Sequence, residues 1–229
     1  MLILAVDTSG KNGSLALVCF DDEKPTTLAL VPLEGGTFSA QLVPQIAALL
    51  QNHHLSKTDI DAFAVVSGPG SFTGLRVGLA AIKALAEILH KPIVAVSLLE
   101  AVACADSRGR GRIVSTLDAG RGEVYSGIFE LECTHATCIS QELRTLVEFV
   151  ASKELESIVT CDEKLARIFT GANLHATIVP RPTADAIARL GYEKIRAGET
   201  VLPEALDATY IRRSDAEIKQ RRRDQEVSS

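Results

Sequence analysis

Two apolar runs end in an acid, and a glycine-rich turn lies between them along the chain. Leu2-Ile3-Leu4-Ala5-Val6 stops at Asp7, and Ile113-Val114-Ser115-Thr116-Leu117 stops at Asp118. A carboxylate at a strand end can position Mg²⁺ or an attacking water for phosphoryl chemistry; the same placement also suits a turn former. Ser67-Gly68-Pro69-Gly70-Ser71 leaves a third apolar run and opens a long helical pattern. The free N–H groups and positive dipole end of such a helix suit an anion. Asp7, Gly68, Gly70, Ser71 and Asp118 therefore form the candidate nucleotide- or anion-binding set. No Lys-Ser or Lys-Thr closes the turn and no G-x-G-x-x-G order is present, which excludes a Walker A loop and a dinucleotide fingerprint. A tight turn followed by an N-cap accounts for the same residues without a ligand.

Metal and hydrolase chemistry has no comparable set. His53 and His54 are adjacent, so their rings point apart on either regular structure, and His90, His135 and His175 are isolated. There is no H-E-x-x-H and no Ser-His-Asp or Cys-His arrangement, so we expect neither catalytic residues, nor metal, nor cofactor. Cys19, Cys104, Cys133, Cys138 and Cys161 form no C-x-x-C pair. An odd count without an export signal reads as a reducing, cytoplasmic compartment. The net charge of −5 opposes a surface that coats nucleic acid. No apolar stretch reaches the roughly 18 residues of a membrane span.

The elements that must carry these residues follow from the apolar pattern. Strands are expected at Leu2–Val6, Ser14–Phe20 and Thr27–Leu33, then a helix at Ser39–Asn52, a strand at Ala62–Val66, a helix at Ser71–His90, a strand at Ile93–Val96 and a helix at Leu98–Ala105. Asp106-Ser107-Arg108-Gly109-Arg110-Gly111 reads as a linker. The pattern then restarts, with strands at Ile113–Leu117, Val124–Leu131 and Cys138–Leu143, a helix at Thr145–Lys153, a strand at Ser157–Thr160, a helix at Asp162–Phe169, a strand at Ala176–Val179 and a helix at Thr183–Ala197. Each half begins with an acid-ended strand, a turn and a second strand, which suggests duplication. The expected class is α/β, with two similar halves, 1–106 and 107–229, facing a cleft, as in the sugar kinase, heat-shock protein and actin architecture.

Two helices carry more apolar surface than one buried face needs. In Ser71–His90, Leu75, Leu79, Ile82, Ala86 and Leu89 form one stripe, and Val77, Ala81, Ala84 and Ile88 a second. In Ser39–Asn52, Leu42, Ile46 and Leu49 adjoin Val43, Ala47 and Leu50. Such a pair predicts a surface for a partner helix pair. The small residues Gly74, Gly78 and Ala81 allow the closest approach, so they are expected, with Leu75, Leu79, Ile82, Leu42, Ile46 and Leu49, to face the partner. The same geometry would serve a second copy of the chain when another partner is absent.

Residues 67–78, Ser-Gly-Pro-Gly-Ser-Phe-Thr-Gly-Leu-Arg-Val-Gly, resemble the signature of the TsaB (YeaZ) family. Asp7-Thr8-Ser9 resembles that family's opening, Asp118-Ala119-Gly120-Arg121-Gly122-Glu123-Val124-Tyr125 its central block, and Tyr210-Ile211-Arg212 its C-terminal motif. The first helix departs from the pattern: Phe38-Ser39-Ala40 stands where the family often has His-Ser-Glu. The resemblance implies an actin-like fold and a non-catalytic scaffold that pairs with the catalytic paralogue TsaD. It further implies a TsaE-like ATPase as partner, transfer of a threonylcarbamoyl group to adenosine in tRNA, and contact with tRNA only within that complex. The paralogue binds metal partly through two histidines four apart on a helix; Leu98 and Val102 fall at those places here and offer no lone pair. A glycoprotease activity, an older name for the wider family, has no residues to carry it. The enzyme alternative is a phosphotransferase or nucleotide hydrolase of the same fold, using Asp7 and Asp118. The basic tail, Arg212, Arg213, Lys219 and Arg221 to Arg223, reads either as a solvated terminus or as an RNA contact.

Overall fold

The computed structural model describes all residues except 22–23, 35, 107–109, 133–134, 153–156, 210 and 212–229. The basic tail, Tyr210 and Arg212 of the C-terminal motif, and the middle of the expected linker lie outside the described residues. Arg110 and Gly111, also assigned to that linker, already belong to a strand.

Strands β1 (Leu2–Asp7), β2 (Gly13–Phe20) and β3 (Pro25–Leu33) form an antiparallel meander. Helix α1 (Phe38–Asn52) leads to β4 (Ala62–Gly68), which pairs parallel with β1. Helix α2 (Phe72–Leu89) leads to β5 (Ile93–Ser97), and α3 (Leu98–Cys104) follows. The second half repeats the plan with β6 (Arg110–Gly120), β7 (Glu123–Glu132), β8 (His135–Thr145), α4 (Leu146–Ala151), β9 (Ile158–Thr160), α5 (Glu163–Gly171), β10 (Ala176–Ile178) and α6 (Ala184–Arg196). The strand orders are β3-β2-β1-β4-β5 and β8-β7-β6-β9-β10, the same order in each sheet. This is the two-lobe, actin-like α/β arrangement that the restarting pattern predicts.

The terminal helices cross between halves. Helix α3 lies across β6 to β9 of the second sheet, and α6 covers the first, reaching β1, β2, β4 and β5. A boundary at 106/107 therefore separates the strands but not the layers that pack on them. Gly191 permits the closest approach of α6: a Cβ there would lie 2.8 Å from that of Ala64 in β4. Where α3 and α6 meet, Lys194 Nζ sits 3.0 Å from Glu100 Oε1 and 3.0 Å from Glu199 Oε2. Burial pushes the Glu100 carboxyl up, only partly offset by Lys194. Burial also works against the Lys194 charge, yet its two carboxylates outweigh that and hold its pKa above the ordinary lysine value.

The core is aliphatic and unevenly divided. One cluster takes in both faces of the first sheet and reaches Ile113, Leu117, Phe129 and Val159 of the second. A small cluster of Val114, Val124, Phe149, Ile158, Leu165 and Phe169 lies under α4 and α5. No helix among the described residues is long and apolar enough to cross a membrane.

Candidate functional site

The turn after β1 and the start of α2 are built against each other. Asp7 is 2% exposed, and its Oδ1 accepts from the Ser9 amide (2.8 Å) and the Ser9 hydroxyl (2.5 Å). The Ser71 amide, at the head of α2, donates to the Ser9 carbonyl at 2.7 Å. Ser71 Oγ then caps the helix by accepting from Gly74 N at 3.3 Å. Thr8 lies along the helix and donates its hydroxyl to the Gly74 carbonyl at 2.8 Å. A Cβ at Gly70, Gly74 or Gly78 would overlap Ser9 or Thr8 atoms. The glycines at i, i+4 and i+8 thus form a lane without side chains in which the turn is seated. Gly68, just before the lane, is glycine for a different reason: its φ of +136° disfavours other residues.

This seating corrects the expected partner face. Gly74, Leu75, Gly78, Leu79 and Ile82 of α2 are buried inside the chain, as are Leu42, Ile46 and Leu49 of α1. For the glycines the physical reason is the turn, since the closest approach that they allow is taken by Thr8 and Ser9; the larger residues are buried in the main core. Of the named α2 residues only Ala81 remains half-exposed. The outward face carries the adjoining stripes instead. On α1 it presents Val43 (57% exposed), Pro44, Ala47 and Ala48; on α2 it presents Phe72, Ala80, Ala84 and Ile88 (69% exposed). The two helices pack side by side, and the Arg76 guanidinium stacks 3.8 Å over the Phe72 ring. Phe38, at the departure from the family pattern, is buried beside Gly13.

Each strand-end carboxylate has a cation from its own chain. Arg181, on the crossover from β10 to α6, brings Nη2 to 3.8 Å from Asp7 Oδ2 and donates to Ser9 Oγ at 3.0 Å. Asp118 accepts from Gly120 N at 2.8 Å through Oδ1 and lies 3.0 Å from Lys164 Nζ through Oδ2. Partial burial works against the Asp118 charge, but the Gly120 amide and Lys164 outweigh it and hold the carboxyl below its usual range. The sequence reading missed both cations. Arg181 carries no local signal beyond preceding a proline, whereas Lys164 stands two residues after Asp162, the acid that caps α5. Leu98 and Val102, which the resemblance sets against the paralogue's histidines, are 1% and 0% exposed core residues of α3. Among the described residues no group of three or more His, Cys, Asp or Glu is placed to share a metal ion.

Residues 35–177 match the family described as TsaD, tRNA N6-adenosine threonylcarbamoyltransferase. The Bacillus subtilis protein named tRNA threonylcarbamoyladenosine biosynthesis protein TsaB is 36% identical over 131 residues, 57% of this chain and 56% of that one. The Escherichia coli protein of the same name is 29% identical over 228 residues, covering 94% and 96%. The chain thus spans about half the length of the Bacillus relative and nearly all of the Escherichia one. Among solved structures, YeaZ from Pseudomonas aeruginosa shares the fold with a TM-score of 0.73 at 24% identity, over 91% of this chain and 100% of that one. By the family match over residues 35–177, more than half of its length, the chain belongs to the TsaD family, and within it resembles the TsaB (YeaZ) proteins.

Proposed function

We propose that this chain acts in the biosynthesis of threonylcarbamoyladenosine in tRNA as a non-catalytic partner subunit, pairing through α1 and α2 with a TsaD-like paralogue. The observation that carries the reading is the outward apolar face of these two helices. Val43, Pro44, Ala47, Ala48, Phe72, Ala80, Ala84 and Ile88 are turned to solvent on neighbouring helices. The patch is apolar, it has at one end an aromatic and an arginine of the kinds enriched at interfaces, and its alanines let a partner helix come close. A paralogue with the same helix pair would complete a four-helix contact, and a second copy of this chain would compete for it. A TsaE-like ATPase joins the assembly, and tRNA is contacted only within it.

The non-catalytic part of the reading is supported by the two acids. Asp7 is buried and engaged by Ser9 and Arg181, and Asp118 is engaged by Gly120 and Lys164. Both carboxylates serve turns and ion pairs: Oδ1 of each accepts from its own turn, and Oδ2 of each faces a cation of this chain. The test is reconstitution: threonylcarbamoyl transfer to tRNA by the paralogue, with and without this chain. Transfer that requires the wild-type chain, survives Asp118→Asn and is lost with Ala84→Arg supports the proposal. Transfer by this chain alone contradicts it.

A further inference from the structure

Arg181 has a position that the partner face does not use. It lies where the chain leaves β10 of the second sheet and enters α6 on the first. Its Nη2 reaches Ser9 Oγ at 3.0 Å and Asp7 Oδ2 at 3.8 Å, a separation in sequence of more than 170 residues. The guanidinium also covers the backbone of the turn: a Cβ on Gly10 would stand 2.9 Å from Nη2. The crossover is tied a second time, three residues on, where the Ala184 amide donates to Ser14 Oγ at 2.9 Å. The turn that Arg181 holds is the one seated in the glycine lane of α2, through Ser9 O to Ser71 N and Thr8 Oγ1 to Gly74 O.

We propose that Arg181 is a latch: it pins the Thr8–Gly10 turn from above while α2 supports it from below, so the crossover between sheets and the head of α2 move as one unit. Nη2 alone makes both approaches, a hydrogen bond to the Ser9 hydroxyl and a longer charge contact to Asp7; the long, planar guanidinium sets that nitrogen over the turn, whereas a lysine ammonium is a shorter-reaching, freely rotating point charge. The side chain is 40% exposed, so its replacement removes the tie without opening a large core cavity.

The test is amide hydrogen exchange on the full chain alone, which leaves it independent of any partner. The reporting amides are Ser9, which donates to Asp7, and Ser71, which donates to Ser9. Arg181→Gln is expected to speed exchange at both by roughly tenfold or more while the strand amides of Ala64 and Val65 stay unchanged. Arg181→Lys, which keeps the charge but not the reach and fixed plane of the guanidinium, is expected to fall between. Arg189→Gln is the control, since Arg189 bonds Thr27 at 3.2 Å and not the turn. Exchange at Ser9 and Ser71 that stays at the wild-type rate in Arg181→Gln overturns the latch, as does a rise of equal size in Arg189→Gln. Should Arg181→Gln fail to fold, Arg181→Lys decides: local acceleration supports the latch, and wild-type exchange overturns it.

Discussion

The two halves share one strand order and one helix order yet differ in what their helices carry. In the first half α1 has 15 residues and α2 has 18, each with apolar stripes on two sides. Their counterparts α4 and α5 have 6 and 9 residues and close only a small cluster. Buried glycines also separate them. Gly74 and Gly78 in α2 are packed on Thr8, whereas Gly171 at the end of α5 has nothing within 4 Å of a Cβ position. A repeated topology is thus satisfied by little packing in the second half. The first half invests extra length and extra apolar surface, and that excess is what a lone domain does not need.

The largest effect is expected on the outer face of α2. Ala84→Arg should weaken association with a TsaD-like paralogue at least a hundredfold by isothermal titration, because a buried arginine without a partner is strongly disfavoured. Thr170→Arg, on the exposed side of α5, should change it less than twofold. Equal losses would erase the distinction between the halves. Next, Lys194→Met leaves Glu100 buried beside α3 without its cation, while the half-exposed Glu199 is solvated, and should cost at most about 3 kcal/mol in denaturant unfolding. Glu100→Gln should cost less, since burial already raises that carboxyl and Lys194 keeps Glu199. The signs follow from the shifts. The Lys194 contribution is full below its unfolded value of 10.5 and is lost only as pH rises through its higher folded value, so Lys194→Met should lower stability across neutral pH.

Gly78→Ala should cost roughly 1–3 kcal/mol through its overlap with Thr8. Gly171→Ala should be neutral or stabilising by up to about 1 kcal/mol, because alanine restricts the unfolded chain. The smallest effect belongs to Asp118. Its carboxyl is held low, so its contribution is present above the unfolded value of 3.8 and is lost as pH falls through the lower folded value. Asp118→Asn should shift the melting temperature by no more than about 1–2 °C at pH 7, and the difference from wild type should vanish on acidification.

The elements were readable because both halves alternate apolar runs with turn signals, and every expected strand and helix is present. The facing of α2 was not readable. Both stripes are apolar, and period alone does not say which one meets the core. What decides it is the contact of Thr8 with Gly74, across 66 residues. A signal was nevertheless present: glycines at 70, 74 and 78 leave one side of a helix bare, and Thr8 and Ser9 are short residues fit to lie on it. Arg181 and Lys194 were missed for the same reason, since a lone cation shows its partner only after the sheets are assembled. The exchange of α3 and α6 between the layers was hidden too, because each reads only as the last helix of its own half.

The most direct measurement is hydrogen exchange of this chain with and without a TsaD-like paralogue, followed residue by residue over α1, α2, α4 and α5. The account predicts a one-to-one complex with protection concentrated on residues 40–51 and 72–88 and none on α4 and α5. Protection centred on the second half, or no complex at micromolar concentrations, would contradict it.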